Sequence, residues 1–325
     1  VRGANGVILI TTKRGKEQKP EVSLTANWQF QSPTREDTYL NSYESVTLLE
    51  EALANDGLPS QFSAAQIDMY KKSVAGQLSG IDALLYPNVD WYDHILKGSA
   101  PAQRYNVSVR GGTKRMRYYA SGEFYDQKGL VKNLSNDMYG NSSSPAFRRY
   151  AFRANMDLFL TTDLTFSVNF GTRFEERSGG NFTENELFYE MNHTPGWLFP
   201  VSYEVQNGES TKTLFGGNAQ YQNNIAARLA NAGYYRATNT VNETNFIADY
   251  KMDWLTEGLS AKAMVSFDYD SYYKRNFTNT FATYELLKDE NGNAIDPTVM
   301  EGFNRFNADG ELAYSKGNST TYKLY

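Results

Sequence analysis

The chain has 325 residues and a formal net charge of −5. With no basic stripe interleaved with stacking aromatics, that charge leaves no footprint for nucleic acid. Its lack of cysteine excludes disulfides, thiolate metal sites and cysteine nucleophiles. Mean hydropathy is −0.59 although aromatics make up 14% of the residues, and no run approaches the roughly 20 apolar residues of a spanning helix.

At the start of the chain, Gly3 and Gly6 with Asn5 between them suit a tight turn, and the β-branched run over 7–12 predicts a buried strand. A phosphate cradle would need a helix after the glycines, which this run does not supply. Alternation of apolar and polar residues predicts a strand over 22–31, followed by a link of about 70 residues. Within that link Tyr43, Val46, Leu49 and Leu53 fall at helical spacing over 42–55, and Gly57 and Pro59 end the run. A second short helix is expected over 63–74, with Ser63 as N-cap and Ile67, Tyr70 and Val74 on one side.

Alternation resumes over 104–111, where Tyr105, Val107 and Val109 oppose Asn106, Ser108 and Arg110. After a tight turn at Gly112 and Thr113 it is clearest over 115–126. There Met116, Tyr118, Ala120, Gly122 and Phe124 oppose Arg115, Arg117, Tyr119, Ser121 and Glu123. A link over 129–145 leads to strands over 149–160 and 164–173, joined by a turn at Thr162 and Asp163. A long link over 178–236 precedes strands over 245–254 and 259–270, which a short turn at 256–258 joins. A last long link, 276–318, leads into a partial strand. Its Asp289–Asn293 stretch hints at a calcium loop, but Met300 stands where the twelfth-position glutamate belongs. Asn291 and Gly292 therefore read as a hairpin tip.

Two-residue periodicity gives each strand one apolar and one charged face. A barrel strand crosses the hydrocarbon layer in about 9 to 11 residues, and a Lys or Arg on its lipid face near the midplane costs roughly 2 to 4 kcal/mol. The charged parity is therefore expected to face a wet lumen. The connections run long, short, long, short, which places every long link on one side. The expectation is an all-β fold, a transmembrane antiparallel β-barrel with about seven to eight strands in this chain and short helices in the first external loop. A passive porin or adhesin barrel, and a soluble carbohydrate-binding β-sandwich, are the alternatives.

No catalytic, cofactor or metal residues are expected. His94 and His193 lie about a hundred residues apart and outside any metal-ligand spacing. Glu175 and Glu176 are strand neighbours and so point to opposite faces. Neither a G-x-S-x-G elbow nor a Walker motif occurs. Candidates for ligand or lid contact are Trp197, Phe199, Tyr203, Tyr221, Tyr234 and Tyr235, which stand among Asn and Gln in the third external link. Flat rings with amide donors suit sugars or peptides, and the same rings could instead pack the loop on itself or against a lid partner.

The opening VRGANGVILITTKRGK resembles the end of the plug domain in TonB-dependent outer-membrane transporters of the SusC/RagA family. Arg2, Gly3, Ala4, Asn5, Gly6, Thr11, Thr12, Lys13, Arg14 and Gly15 carry that motif in a structural role. The segment Val89-Asp90-Trp91-Tyr92-Asp93 and the strands NVSVRGG, RYYASGEFYDQKG and FRRYAFRANMDL extend the resemblance. It implies that residues 1–18 close a plug domain and that 19–325 begin a barrel of about 22 strands. The family also implies import of glycans or peptides across the outer membrane with a SusD-like surface lipoprotein. Proton-motive force would arrive through TonB at a segment outside this sequence. With neither an initiator methionine nor an export signal at its start, the chain is expected to be a fragment.

Overall fold

The computed structural model describes residues 13–34, 38–135, 142–208, 210–289 and 293–325. The motif residues Arg2, Gly3, Ala4, Asn5, Gly6, Thr11 and Thr12, the expected strand over 7–12 and the Asn291-Gly292 tip lie outside them. In chain order the strands are β1 (Gln18–Gln31), β2 (Ala100–Gly112), β3 (Met116–Lys128), β4 (Ala146–Phe159), β5 (Leu164–Gly180), β6 (Ser202–Asn207), β7 (Ser210–Phe215), β8 (Gly233–Lys251), β9 (Ser260–Thr278), β10 (Thr283–Leu286), β11 (Phe303–Phe306) and β12 (Ala313–Leu324). The helices are α1 (Ser42–Asn55), α2 (Ala64–Val74), α3 (Gly80–Leu85), α4 (Trp91–Ile95), α5 (Glu184–His193) and α6 (Ile225–Asn231).

Eight strands form one sheet in the order β1-β2-β3-β4-β5-β8-β9-β12, and every neighbouring pair is antiparallel. This up-and-down order lets short turns join strands at one end and long links at the other. The register keeps the two parities apart across the sheet. Tyr105 pairs with Phe124, Phe124 with Tyr150 and Tyr150 with Phe174 on one face. On the other face Arg104 pairs with Tyr125, Tyr125 with Arg149 and Arg149 with Glu175. The alternative of two packed sheets fails here, since the other two sheets are two-stranded hairpins within the long links.

The apolar face is bare. On β1, Val22, Leu24, Trp28 and Phe30 are each at least two-thirds exposed, and Phe152, Phe246 and Val265 continue the surface across the sheet. A contiguous apolar face of this size calls for a non-aqueous neighbour. Lipid supplies one, so the sheet needs no interior core.

The core sits in the links. Trp91 and Ile95 of α4, Val131 of the β3–β4 link, Leu187 and Met191 of α5, Phe199, and Ile225 and Leu229 of α6 form one buried cluster. Tyr203 and Val205 of β6, Leu214 of β7, Tyr284 and Leu286 of β10 and Phe303 of β11 form a second. Because all the long links leave the same end of the sheet, they bury each other's apolar residues and make a folded cap.

Helix α1 occupies the expected 42–55 range, and Asn41 caps it with a box completed by Glu44. Ser63 caps α2 as expected, paired with Gln66. The Asp289 N–H donates to the Asn293 carbonyl at 2.8 Å. Strands β8 and β9 each run 19 residues, well past the alternating stretches that announced them. Above the membrane both faces are wet, so the ladder continues while the alternation stops. At the other end the run expected to reach Trp254 leaves the strand after Lys251, and Trp254 and Leu255 stand exposed in the turn.

Candidate functional site

The lumenal wall is built from the charged parity of β2 to β5 and β8. Glu123 accepts from Arg104 Nε at 2.8 Å and from Arg149 Nε at 3.0 Å, so two strands clamp one carboxylate between two guanidiniums. Glu175 sits between two arginines of its own strand, Arg173 at 3.0 Å and Arg177 at 3.7 Å. Glu176, the next residue, pairs across the sheet in the opposite parity. Arg149 lies over the Tyr125 ring at 5.6 Å and Arg177 over Phe147 at 5.3 Å, which fixes the guanidinium planes. Arg104, Glu123, Arg149, Arg153 and Glu243 line a hollow of about 440 Å³ with Lys13 on its rim. Such a wall offers fixed, alternating donors and acceptors to whatever fills the lumen. Glu123→Gln would leave the two arginines without their shared carboxylate. The expected cost is about 1 to 3 kcal/mol of barrel stability, read as a lower temperature for the heat-induced shift in gel migration of the full-length protein. No change in that temperature would show that the clamp contributes nothing.

Three motif residues can be placed, and all sit against this wall. Arg14 pairs with Asp157 of β4, a carboxylate that also accepts from Ser167 Oγ at 2.6 Å. The buried Asn155 donates its Nδ2 to the Lys13 carbonyl at 2.7 Å. Gly15 packs directly on the Tyr118 backbone, and a Cβ there would lie 2.7 Å from the Gly111 carbonyl oxygen. Residues 13–16 are thus seated on the lumenal side before β1 begins.

The six aromatic candidates do not converge on one site. Phe199 is buried beside Trp91 with ring centroids 6.1 Å apart, and Tyr203 is buried against Phe303 at 4.9 Å. Burial pushes the Tyr203 phenol up. Both rings pack the interior of the cap. Trp197 meets Phe62 edge-on at 5.2 Å, and its carbonyl accepts from the Tyr70 hydroxyl at 3.4 Å. Tyr221 packs partly buried on the first cluster, with its N–H donated to Asn218 Oδ1 at 2.7 Å. Tyr234 shares the outward parity of β8 and stacks on Phe277 at 4.6 Å. Tyr235 has the lumenal parity and lies 4.9 Å from the Lys274 ammonium.

Sequence reasoning missed a hollow of about 310 Å³ between the first and third long links, lined by Tyr39, Asn88, Asp90, Tyr92 and Asn192. Tyr39 and Tyr92 stack at 4.8 Å, and both hydroxyls donate to Asn192 Oδ1, that of Tyr92 at 2.8 Å. Rings and amides brought together this way can hydrogen-bond a polar ligand. Tyr92 belongs to the Asp90-Trp91-Tyr92 segment, but Tyr39 and Asn192 lie far from it in sequence and only the folded cap joins them. His94 is half-buried, and burial pushes its imidazole down. His193 is bonded through Nδ1 to the Tyr189 carbonyl at 2.8 Å and stacked on that ring. Among the described residues no group of His, Cys, Asp and Glu is arranged to hold a metal ion.

No protein-family model matches the chain. It is 28% identical over 316 residues to "TonB-dependent receptor P26" of Formosa agariphila, covering 94% of this chain and 27% of that protein. Over 170 residues it is 30% identical to "TonB-dependent receptor SusC" of Bacteroides thetaiotaomicron, covering 52% of this chain and 14% of SusC. Among solved structures it resembles the RagAB peptide transporter with a TM-score of 0.57 at 15% identity, over 82% of this chain and 30% of that one. The closed-closed state of the RagAB peptide importer gives a TM-score of 0.58 at 18% identity, over 86% of this chain and 31% of that one. The chain therefore spans roughly a third or less of each of these proteins, which are named as receptors or transporters. Over most of its length the chain is thus similar in sequence to TonB-dependent receptors, over half of it to SusC, and it shares the fold of the matching part of RagAB.

Proposed function

We propose that the chain is part of an outer-membrane importer that carries oligosaccharides or oligopeptides through its lumen into the periplasm. In this reading TonB energises the import and a SusD-like lipoprotein covers the cap. The observation that carries the proposal is the division of a single up-and-down sheet. One face is apolar and exposed, the other is a charged wall, and all the long links fold into one cap at one end. That is the organisation of a barrel with an outside and an inside, open to solutes at the capped end. The seat of Lys13 and Arg14 on the lumenal wall supports residues 1–18 as the end of a plug and 19–325 as barrel. RagAB is a peptide transporter, whereas the name of SusC specifies only a receptor, so both cargo classes are kept.

The test is uptake of labelled oligosaccharides and oligopeptides by cells carrying the full-length gene, with and without an uncoupler of the proton-motive force. Uptake of one class that collapses with the uncoupler is expected. Uptake that persists would replace the proposal with a passive pore, and a full-length protein absent from the outer membrane would end it.

A further inference from the structure

On the lumenal wall Asp157 stands directly opposite Arg117 of β3 in the ladder, and Phe159 is the next position of the same parity on β4. Residues opposed across antiparallel strands hold their Cβ atoms about 4.5 to 5.5 Å apart, well within the length of an arginine side chain. The register alone therefore calls for a pair between Arg117 and Asp157. A different pair forms. Asp157 takes Arg14 from the segment that precedes β1, together with the Ser167 hydroxyl at 2.6 Å. The Arg117 guanidinium lies instead over the Phe159 ring, 4.9 Å from its centroid. Among the described residues its Nε is buried with no hydrogen-bond partner.

A buried donor on a charged group that lacks an acceptor is costly, and an aromatic face compensates for it only in part. The two arginines also differ in what carries them. Arg117 and Asp157 sit on neighbouring strands fixed by the ladder. Arg14 belongs to residues 13–16, which are seated by the bond from Asn155 to the Lys13 carbonyl and by the close packing of Gly15 on Tyr118. That segment can leave as a unit, whereas the strands cannot. For Arg117, turning back from Phe159 to Asp157 is a side-chain rotation that moves no backbone.

We propose that Arg117 is the reserve partner of Asp157. When residues 13–16 leave the wall, the carboxylate passes from Arg14 to Arg117, and the guanidinium gives up the Phe159 ring for a charge-assisted hydrogen bond. Without this exchange, unseating would strand Asp157 on the wall with no cation beside it, the expensive way to break an ion pair. With it, Arg117 stabilises the unseated state more than the seated one and lowers the work of release. The use of the exchange in import rests on the reading of residues 1–18 as the end of a plug, for it lets a modest pull free the segment without damage to the wall.

The test is the mobile fraction of a spin label at Lys16 in the full-length receptor, followed through a urea titration over which the heat-dependent gel shift of a folded barrel persists. Arg117→Gln is expected to lower the mobile fraction at a given urea concentration by about three- to ten-fold. This is a tightening, whereas removal of an arginine that merely braced the wall would loosen the seat. Arg117→Lys keeps the charge and should tighten it less. In an Asp157→Asn background Arg117→Gln should leave the label unchanged, since no carboxylate remains to be handed over. Loosening or no change on Arg117→Gln would overturn the proposal. Equal tightening in the Asp157→Asn background would overturn it too, because relief of repulsion between Arg117 and Arg14 would then account for the effect. Coupled uptake by the same variants judges the plug reading separately. Lower uptake with the tighter seat supports it, and a tighter seat with full uptake would sink the use in import while the exchange itself stands.

Discussion

Replacing Ile95 by alanine is expected to loosen the external cap by about 2 to 5 kcal/mol while the sheet stays intact. Ile95 ends α4 with no exposed surface, inside the cluster that joins the first, second and third long links. Its carbonyl also accepts the Lys132 N–H at 2.8 Å, so packing and backbone bonding meet at the same place. Alanine would leave a cavity beside Trp91, Leu187 and Met191, at the place where α4 and α5 share their buried apolar contact. The sheet does not depend on that cluster, because its strands are held by their ladders and by lipid. Protease added to intact cells should therefore cut the long links of the Ile95→Ala receptor faster than those of the wild type, while the barrel keeps its heat-dependent gel shift. Phe188→Ala, at a ring 43% exposed on the neighbouring helix, is the control and should change little. Equal protease resistance of Ile95→Ala and wild type would show that the links do not share a core.

The difference between what could and could not be read from the sequence follows the solvent on each side of the chain. Where one face meets lipid and the other water, as along 116–126, every second residue is constrained and the strand shows in the sequence. Where both faces meet water, as in the upper half of β8 around Thr238 and Asn239, hydrogen bonding extends the strand without a pattern to reveal it. The cap obeys neither rule. Helices α1 and α2 were legible because Asn41 and Ser63 begin runs long enough to show helical spacing, each with a capping box. Helix α4 has five residues and α6 seven, too few for a period to declare itself.

The candidate ligand residues divide in the same way. An aromatic-rich link signals rings in contact with something, but not whether that partner is a ligand or the rest of the cap. For Phe199 and Tyr203 it is the cap, since Trp91 and Phe303 arrive from other links. The pairing of Tyr39 with Tyr92 over Asn192 has no sequence signature, because its members are separated by whole strands and helices. By contrast the Lys13-Arg14-Gly15 seat was visible as a motif, though its partners Asp157 and Asn155 could not be named until β4 was placed beside it.

Gly15→Val is expected to have the larger consequence for function. A Cβ at this position would overlap the backbone nitrogen and oxygen of Tyr118 and approach the Gly111 carbonyl at 2.7 Å. These are atoms of strands β2 and β3, fixed by the ladder, so no side-chain rotation can make room. The cost of keeping the segment seated would exceed about 3 kcal/mol. Leaving the wall instead would break the Arg14–Asp157 pair and the bond from Asn155 to the Lys13 carbonyl, and the segment should take this course. A spin label at Lys16 of the full-length receptor should then change from restrained to mobile, with barrel content in the membrane unchanged. If residues 1–18 end a plug, coupled uptake should fall by on the order of ten-fold or more, because force on the plug would no longer act against a fixed anchor on the barrel. Asp157→Asn separates the two contributions. It removes the charge pairing but keeps the close glycine contact, so it should mobilise the label only partly and reduce uptake less. A label that stays restrained in Gly15→Val would show that β2 and β3 yield instead of the segment. A mobile label with full uptake would show that the 13–16 seat is structural and takes no part in coupling.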